Sequence, residues 1–337
     1  MKRWRTSFVI VALFALMLPL TTAAQTVIPG PSTRHISRTD GLPISGPYDI
    51  VQFLLDFAPG AWTPMHTHGG KVLVTVLEGE IVRNHAHGSD TYSKGDSWAE
   101  LPDDPHEAGN NTGSPATVLV TAVLPAGAPL STVAGDPSPN PPPGPVARYM
   151  HRVPGQPLTG PYEIVHTVLD FAPGTWTPPH SHGGVLPFTV IEGELTFHMA
   201  GHAERVIRKG ESDMEHLNHV VRAGNTTSQV TTTTGSMTLP KGNTFTYVVP
   251  SMDCYFFLET KQSLCSGFQA YWDKYGGLAI FGYPISAEMK DANGVTVQWF
   301  ERARFEWHPG AWPERYDVLL GRIGAELAAT IGIGYTR

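Results

Sequence analysis

The chain repeats itself. Gly46-Pro47-Tyr48-Asp49-Ile50-Val51 returns as Gly160-Pro161-Tyr162-Glu163-Ile164-Val165, and Leu55-Asp56-Phe57-Ala58-Pro59-Gly60 as Leu169-Asp170-Phe171-Ala172-Pro173-Gly174. Trp62-Thr63-Pro64 returns as Trp176-Thr177-Pro178, and His66-Thr67-His68-Gly69-Gly70 as His180-Ser181-His182-Gly183-Gly184, all at an offset of 114. Lys94-Gly95 and Ala108-Gly109-Asn110 match Lys209-Gly210 and Ala223-Gly224-Asn225 at an offset of 115. Solenoid units repeat every 20–50 residues or so, so a period above 100 means a duplicated domain.

Each copy reads as β. Val72 to Leu77 and Ala116 to Leu124 are runs rich in β-branched residues, bounded by Glu-Gly-Glu, Asn and Gly turn signals. With 35 Gly and 30 Pro in 337 residues and only 16% charged side chains, the chain suits short strands and many turns. A sandwich or barrel follows for each copy. The domains expected are residues 25–127 and 151–242, with a Pro-rich extended linker at 128–150 in which no strand or helix fits between Ala126 and Pro145.

The two ends read differently. Lys2, Arg3 and Arg5 precede an apolar run from Phe8 to Leu20 and small residues up to Ala24. That order predicts a secretory signal peptide over residues 1–24, because the run is short of the roughly 20 residues a membrane span needs. Its removal takes away three cations and moves the formal charge from −7 to −10, which argues against nucleic acid as a partner. The expected location is secreted: extracellular, periplasmic or envelope-associated, with no membrane span after cleavage. In such a compartment Cys254 and Cys265, the only cysteines, are expected to form a disulfide.

Residues 250–337 form an aromatic-rich α+β module. A helix is expected through Phe268, Tyr271, Trp272 and Tyr275, stopped by Gly276-Gly277, with a hairpin turn at Asn293-Gly294 and a closing helix over Val318 to Ile331.

The chemistry concentrates on histidine. Residues i and i+2 of a strand share a face, so His66 and His68 aim two imidazoles into one pocket, as do His180 and His182. Gly60 stands six residues before His66, Gly79 eleven after His68, and His106 and Asn110 follow Gly95. In these spacings both copies resemble the cupin superfamily, over roughly Gly41 to Gly127 and Pro154 to Gly242. The resemblance implies a mainly β chain of two tandem jelly-roll barrels, Val72, Val74 and Val76 lining one interior and Leu186, Phe188 and Val190 the other. It also implies one divalent transition metal (Fe, Mn, Ni, Cu or Zn) held by His66, His68 and His106.

Two departures matter. The family's glutamate would fall at Val72 and Leu186, so the chain resembles the three-histidine variants. A neutral donor set leaves the metal's charge uncompensated, which favours an anionic, oxygen-rich substrate. In the second copy the third ligand position is Val221. Either His219, two residues earlier, is a displaced ligand on a regular strand, or the site has decayed. His85 and His87, at a hairpin tip, read as exposed.

The leading expectation is a secreted metal-binding bicupin acting on a small organic substrate, with chemistry resembling that of bicupin dioxygenases or related metal-assisted reactions. The alternatives are a non-catalytic ligand-binding envelope protein and a storage-like bicupin. The phrase Gly276 to Pro284 resembles Leu-Gly-Phe-Pro repeats of envelope proteins, implying cell-wall or glycan contact through the C-terminal module.

Overall fold

A computed structural model describes residues 30–135, 138–310 and 317–333. The signal-peptide segment, 1–24, lies outside the described residues. Each copy folds into two facing five-stranded antiparallel sheets. In the first barrel one sheet runs Val146–Pro154, Tyr48–Phe57, Ala116–Pro125, Lys71–Glu78, Ser97–Glu100. The other runs Ser131–Val133, His66–His68, His106–Gly109, Glu80–His85, Gly88–Ser93. The second barrel repeats this order with Tyr162–Phe171, Thr231–Pro240, Leu186–Glu192 and Ser212–Glu215 in one sheet, and His180–His182, Val221–Gly224, Glu194–Met199 and Arg205–Arg208 in the other. The apolar faces turn inward: Val72, Val74 and Val76 pack with Phe53, Phe57 and Trp98, while Phe188 and Val190 pack with Phe171 and Phe197.

The barrels exchange edge strands. Ser32–Asp40 precedes the first barrel yet pairs with Tyr162–Phe171 of the second. Val146–Pro154 precedes the second barrel yet pairs with Tyr48–Phe57 of the first. The segment expected to be a structureless linker therefore carries Ser131–Val133, paired with His66–His68, and leads directly into the exchanged strand. The Pro-rich composition stands only at 138–145; past it the chain finds an open sheet edge, and unpaired backbone groups there favour pairing over solvation.

The exchange joins the two β-sheets back to back. Tyr48, Ile50, Leu73 and Val123 form one buried cluster with Val153, Tyr162 and Ile164. Polar pairs cross the same interface: Gln52 Nε2 donates to Ser236 Oγ at 2.8 Å, Tyr48 Oη meets Thr238 Oγ1 at 2.8 Å, and Thr75 Oγ1 lies 2.9 Å from Nδ1 of the fully buried His166. Gly155 admits the Tyr48 ring, and Gly41 admits Tyr162 in the same way: a Cβ on Gly155 would stand 2.1 Å from Tyr48. Gly155→Ala is accordingly expected to cost about 1–3 kcal/mol through overpacking, whereas Gly113→Ala, with open space around it, should be near neutral. Thermal melts of the two variants check this; equal melting temperatures would show that the interface is not closely packed.

The C-terminal module has the expected helix, Ser266–Lys274, and the hairpin between Met289–Lys290 and Thr296–Trp299. The closing segment differs: Val318–Leu320 is a strand paired with Arg304–Trp307, and the helix spans only Ile323–Thr330. Val318 is buried against Phe305, so an edge position in this sheet overrides its place in an apolar run. Cys254 and Cys265 are disulfide-bonded. Phe268, Phe281, Phe300 and Phe305 are core, while among the described residues Tyr255 and Tyr275 are exposed. Among the described residues no helix is long and apolar enough to cross a membrane.

Candidate metal centre

His66 and His68 project from one strand face, and the ladder sets His106 directly opposite His66. The ligand atoms of the three rings lie within 4.8 Å of one another. Each ring is oriented from behind. Nδ1 of His66 meets Pro64 O, Nδ1 of His68 meets Leu130 O, and Nδ1 of His106 meets Asp104 O, all at 2.8 Å. A carbonyl only accepts, so Nδ1 carries the proton in each ring and the neutral imidazole presents the Nε2 lone pair to the centre.

A fourth group completes the set. Glu100, 4% exposed, places Oε2 2.9 Å from His68 Nε2 and Oε1 3.2 Å from His106 Nε2. Yet neither Nε2 makes a hydrogen bond, so the donors point to a shared position instead of at one another. Buried polar atoms without partners are rare, and three nitrogens with one carboxylate oxygen are a donor set suited to a divalent transition metal. Trp98 Nε1 donates to Glu100 Oε1 at 2.8 Å, and Arg83, 3.7 Å away, shares its guanidinium with Asp104 at 3.0 Å. Burial alone would raise the Glu100 pKa, but the facing His106 and His68 outweigh it and hold this carboxyl far below the ordinary range. Burial lowers the His66 pKa and keeps that ring neutral. It works against His106 as well, where Glu100 more than offsets it and the pKa rises.

The three histidines come together as expected, and Glu100 adds a carboxylate beside two of them. The family's position is Val72, on the strand Lys71–Glu78 that follows the His motif, and Glu100 is its cross-strand partner. The second copy does the same, pairing Glu215 with Leu186. The carboxylate has moved one strand across in both barrels. One signal was present in the sequence: Glu100 and Glu215 match at the offset of 115 that relates Lys94 to Lys209.

In the second barrel His180 and His182 hold the same positions, and Val221 faces His180 as His106 faces His66. Glu215 Oε2 lies 2.8 Å from His182 Nε2 and 3.6 Å from His180 Nε2. His219 does not join them. It lies in a turn with Nδ1 3.0 Å from Leu217 O, its ring 5.6 Å from His216 and 6.1 Å from His202. Asn218 adopts φ +61°, so the regular strand that would have aimed His219 inward begins only at Val221. His85 and His87 sit at the hairpin tip, His85 Nε2 against Asp90 at 3.0 Å. Asn110 is structural: its amide donates to Phe57 O and Ser114 O and accepts from Thr112, and Asn225 repeats the pattern.

The first centre opens into a cavity of about 380 Å³. Phe53, Phe57, Val74, Trp98 and Val120 wall it, joined by Leu130, Val133, Pro145 and Met150 from the inter-barrel segment. No lysine or arginine lines it.

Two jelly-roll barrels in one chain, each with histidines from one short strand converging on a buried carboxylate, define a bicupin. Residues 53–122, inside the first barrel, match the family model described as Cupin domain, and the second barrel repeats the strand order of the first. Solved structures similar in fold include AerE from Microcystis aeruginosa (14% identity over 63% of this chain and 98% of that one, TM-score 0.41). Vicilin from Solanum lycopersicum is 14% identical over 60% of this chain and 77% of that one, with a TM-score of 0.47. The Lactobacillus farciminis oxalate decarboxylase formate complex is 12% identical over 60% and 80%, with a TM-score of 0.42. Likeness at this level assigns no activity to this chain. No curated protein sequence matches it.

Proposed function

We propose that this chain is an exported metal-dependent bicupin whose first barrel binds one divalent transition metal through His66, His68, His106 and Glu100. Its substrate would be a small organic molecule with one anionic oxygen and an apolar body. The observation that carries this reading is the convergence of three oriented imidazoles and a buried carboxylate at the end of an apolar cavity. The Cys254–Cys265 disulfide supports export, since such bonds persist in oxidising compartments.

Charge selects the substrate's head. One carboxylate leaves a divalent ion with a single positive charge, matched by one anionic oxygen. The cavity wall offers no cation to a second one, because Arg83 is committed to Glu100 and Asp104. The wall selects the body: besides the ligands, Thr63 and Ser131 are its few polar groups, so an oxygen-rich body would lose its hydration without hydrogen bonds in return. When bound, the metal supplies Lewis-acid or oxygen- or water-activating chemistry of the dioxygenase-like or related kind. The residues orient: Phe53, Phe57 and Val120 hold the body, and Leu130 and Pro145 extend the apolar wall.

The test is calorimetric binding of 2-naphthol, which has an apolar body and one ionisable oxygen, and of oxalate, which has no apolar body. Metal-loaded protein is expected to bind 2-naphthol at least about tenfold tighter than metal-free protein does, and tighter than it binds oxalate. The reverse ranking would refute the substrate class. Oxygen uptake with bound aromatic alcohols then separates an oxygenase from a binding protein.

A further inference from the structure

The second barrel also gathers metal-ligand atoms. His180, His182 and Glu215 are buried, and one ligand atom from each lies within 4.8 Å of the others. Nδ1 of His180 faces Pro178 O at 2.9 Å and Nδ1 of His182 faces Phe245 O at 2.8 Å. Both carbonyls only accept, so both Nε2 lone pairs turn inward. Glu215 is 7% exposed, yet its Oε2 has no hydrogen-bond partner. A buried carboxylate oxygen costs free energy when left without one.

We infer that the second barrel is a metal site in its own right, built from two histidines and one carboxylate. Val221 stands at the ladder position of His106, so its presence removes one donor and leaves the other three in place. A divalent ion held by His180, His182 and Glu215 keeps one positive charge and, in octahedral coordination, three free positions. That donor set with open positions suits Fe(II) and neighbouring ions. His180, His182 and Glu215 line a cavity of about 410 Å³ together with Thr167, Thr177, Thr233 and Thr246, where the first cavity has Thr63 and Ser131. With one imidazole fewer, the site leaves more positions for a small oxygen-donor ligand, and in this the two barrels differ. This inference stands whether or not the first-barrel reading holds.

The test is a Co²⁺ titration of the full chain, carrying no histidine tag and stripped by chelator, read by elemental analysis after equilibrium dialysis and by visible absorption. Two ions per wild-type chain are expected, one tight and one weaker. His106→Ala should lose the tight ion and keep the weaker. Glu215→Ala and the isosteric Glu215→Gln should do the opposite. Val221→His, which restores a third imidazole, should tighten the weaker event about tenfold or more. A wild-type chain with no ion that depends on Glu215 would overturn the inference. So would a second ion that survives both Glu215 variants and is lost instead in His216→Ala, which would place it on the surface cluster of His202, His216 and His219.

Discussion

Replacing Glu100 by Gln is expected to weaken divalent-metal binding in the first barrel by at least about a hundredfold while the barrel stays folded. Glu100 is the only anion among the four groups that converge there. In a site this enclosed the attraction between a divalent ion and a carboxylate is screened far less than at the surface. Loss of a group that merely orients a ligand typically costs 10–100-fold in affinity, so loss of the charged ligand should exceed that range. The amide preserves shape and still accepts from Trp98, which separates the missing charge from a packing defect. Competition against a chromophoric chelator at pH 7 measures the effect. Wild-type affinity in Glu100→Gln would restore the three-histidine reading. Affinity should also fall with pH in the wild type: Glu100 holds the His106 pKa up, so a proton competes with the metal for Nε2.

Acid should loosen the barrel–barrel interface through His166. This ring is fully buried on the exchanged-strand side, with Thr75 Oγ1 at Nδ1 and no partner at Nε2. Burial, with a smaller contribution from His35, lowers its pKa from 6.5 to about 3. A group whose pKa is lower in the folded state binds its proton more readily once unfolded. His166 therefore costs nothing above pH 6.5 and destabilises progressively as pH falls from 6.5 towards 3. At about 1.4 kcal/mol per pH unit the full effect is on the order of 5 kcal/mol. The repeat supplies the control, because His166 corresponds to Gln52, which stays neutral and bonds Ser236 and Thr189 across the same interface. His166→Gln is expected to flatten the acid limb of the stability curve without lowering stability at pH 8. Urea unfolding of metal-free wild type and variant from pH 4 to 8 measures the difference and cancels the part due to the ligand histidines. Parallel curves would show that water reaches His166.

The fold was legible because duplication doubles every signal. The same strand runs, turn glycines and His-x-His pairs recur at one offset, and each copy must then build the same sheets. His66 and His68 were legible from the two-residue period of a strand, and His106 through its spacing from Gly95. Glu100 was not. The family spacing points to Val72, on the strand after the His motif, whereas the carboxylate reaches the centre from that strand's partner, and cross-strand register is set by pairing across 28 positions of sequence. His219 failed for the opposite reason: its spacing was right, but the left-handed Asn218 breaks the strand that the spacing assumed.

By itself, then, the sequence determined two β-barrels, the histidine pair in each, the disulfide partners and the aromatic C-terminal core, since these depend on short-range period or on residue identity. Only the tertiary structure decided which barrel each edge strand joins, which glutamates stand beside the histidines, and that residues of the inter-barrel segment line the first cavity. Each of these is a choice of partner between segments far apart along the chain, made by backbone pairing and burial, and neither leaves a local trace in composition or periodicity.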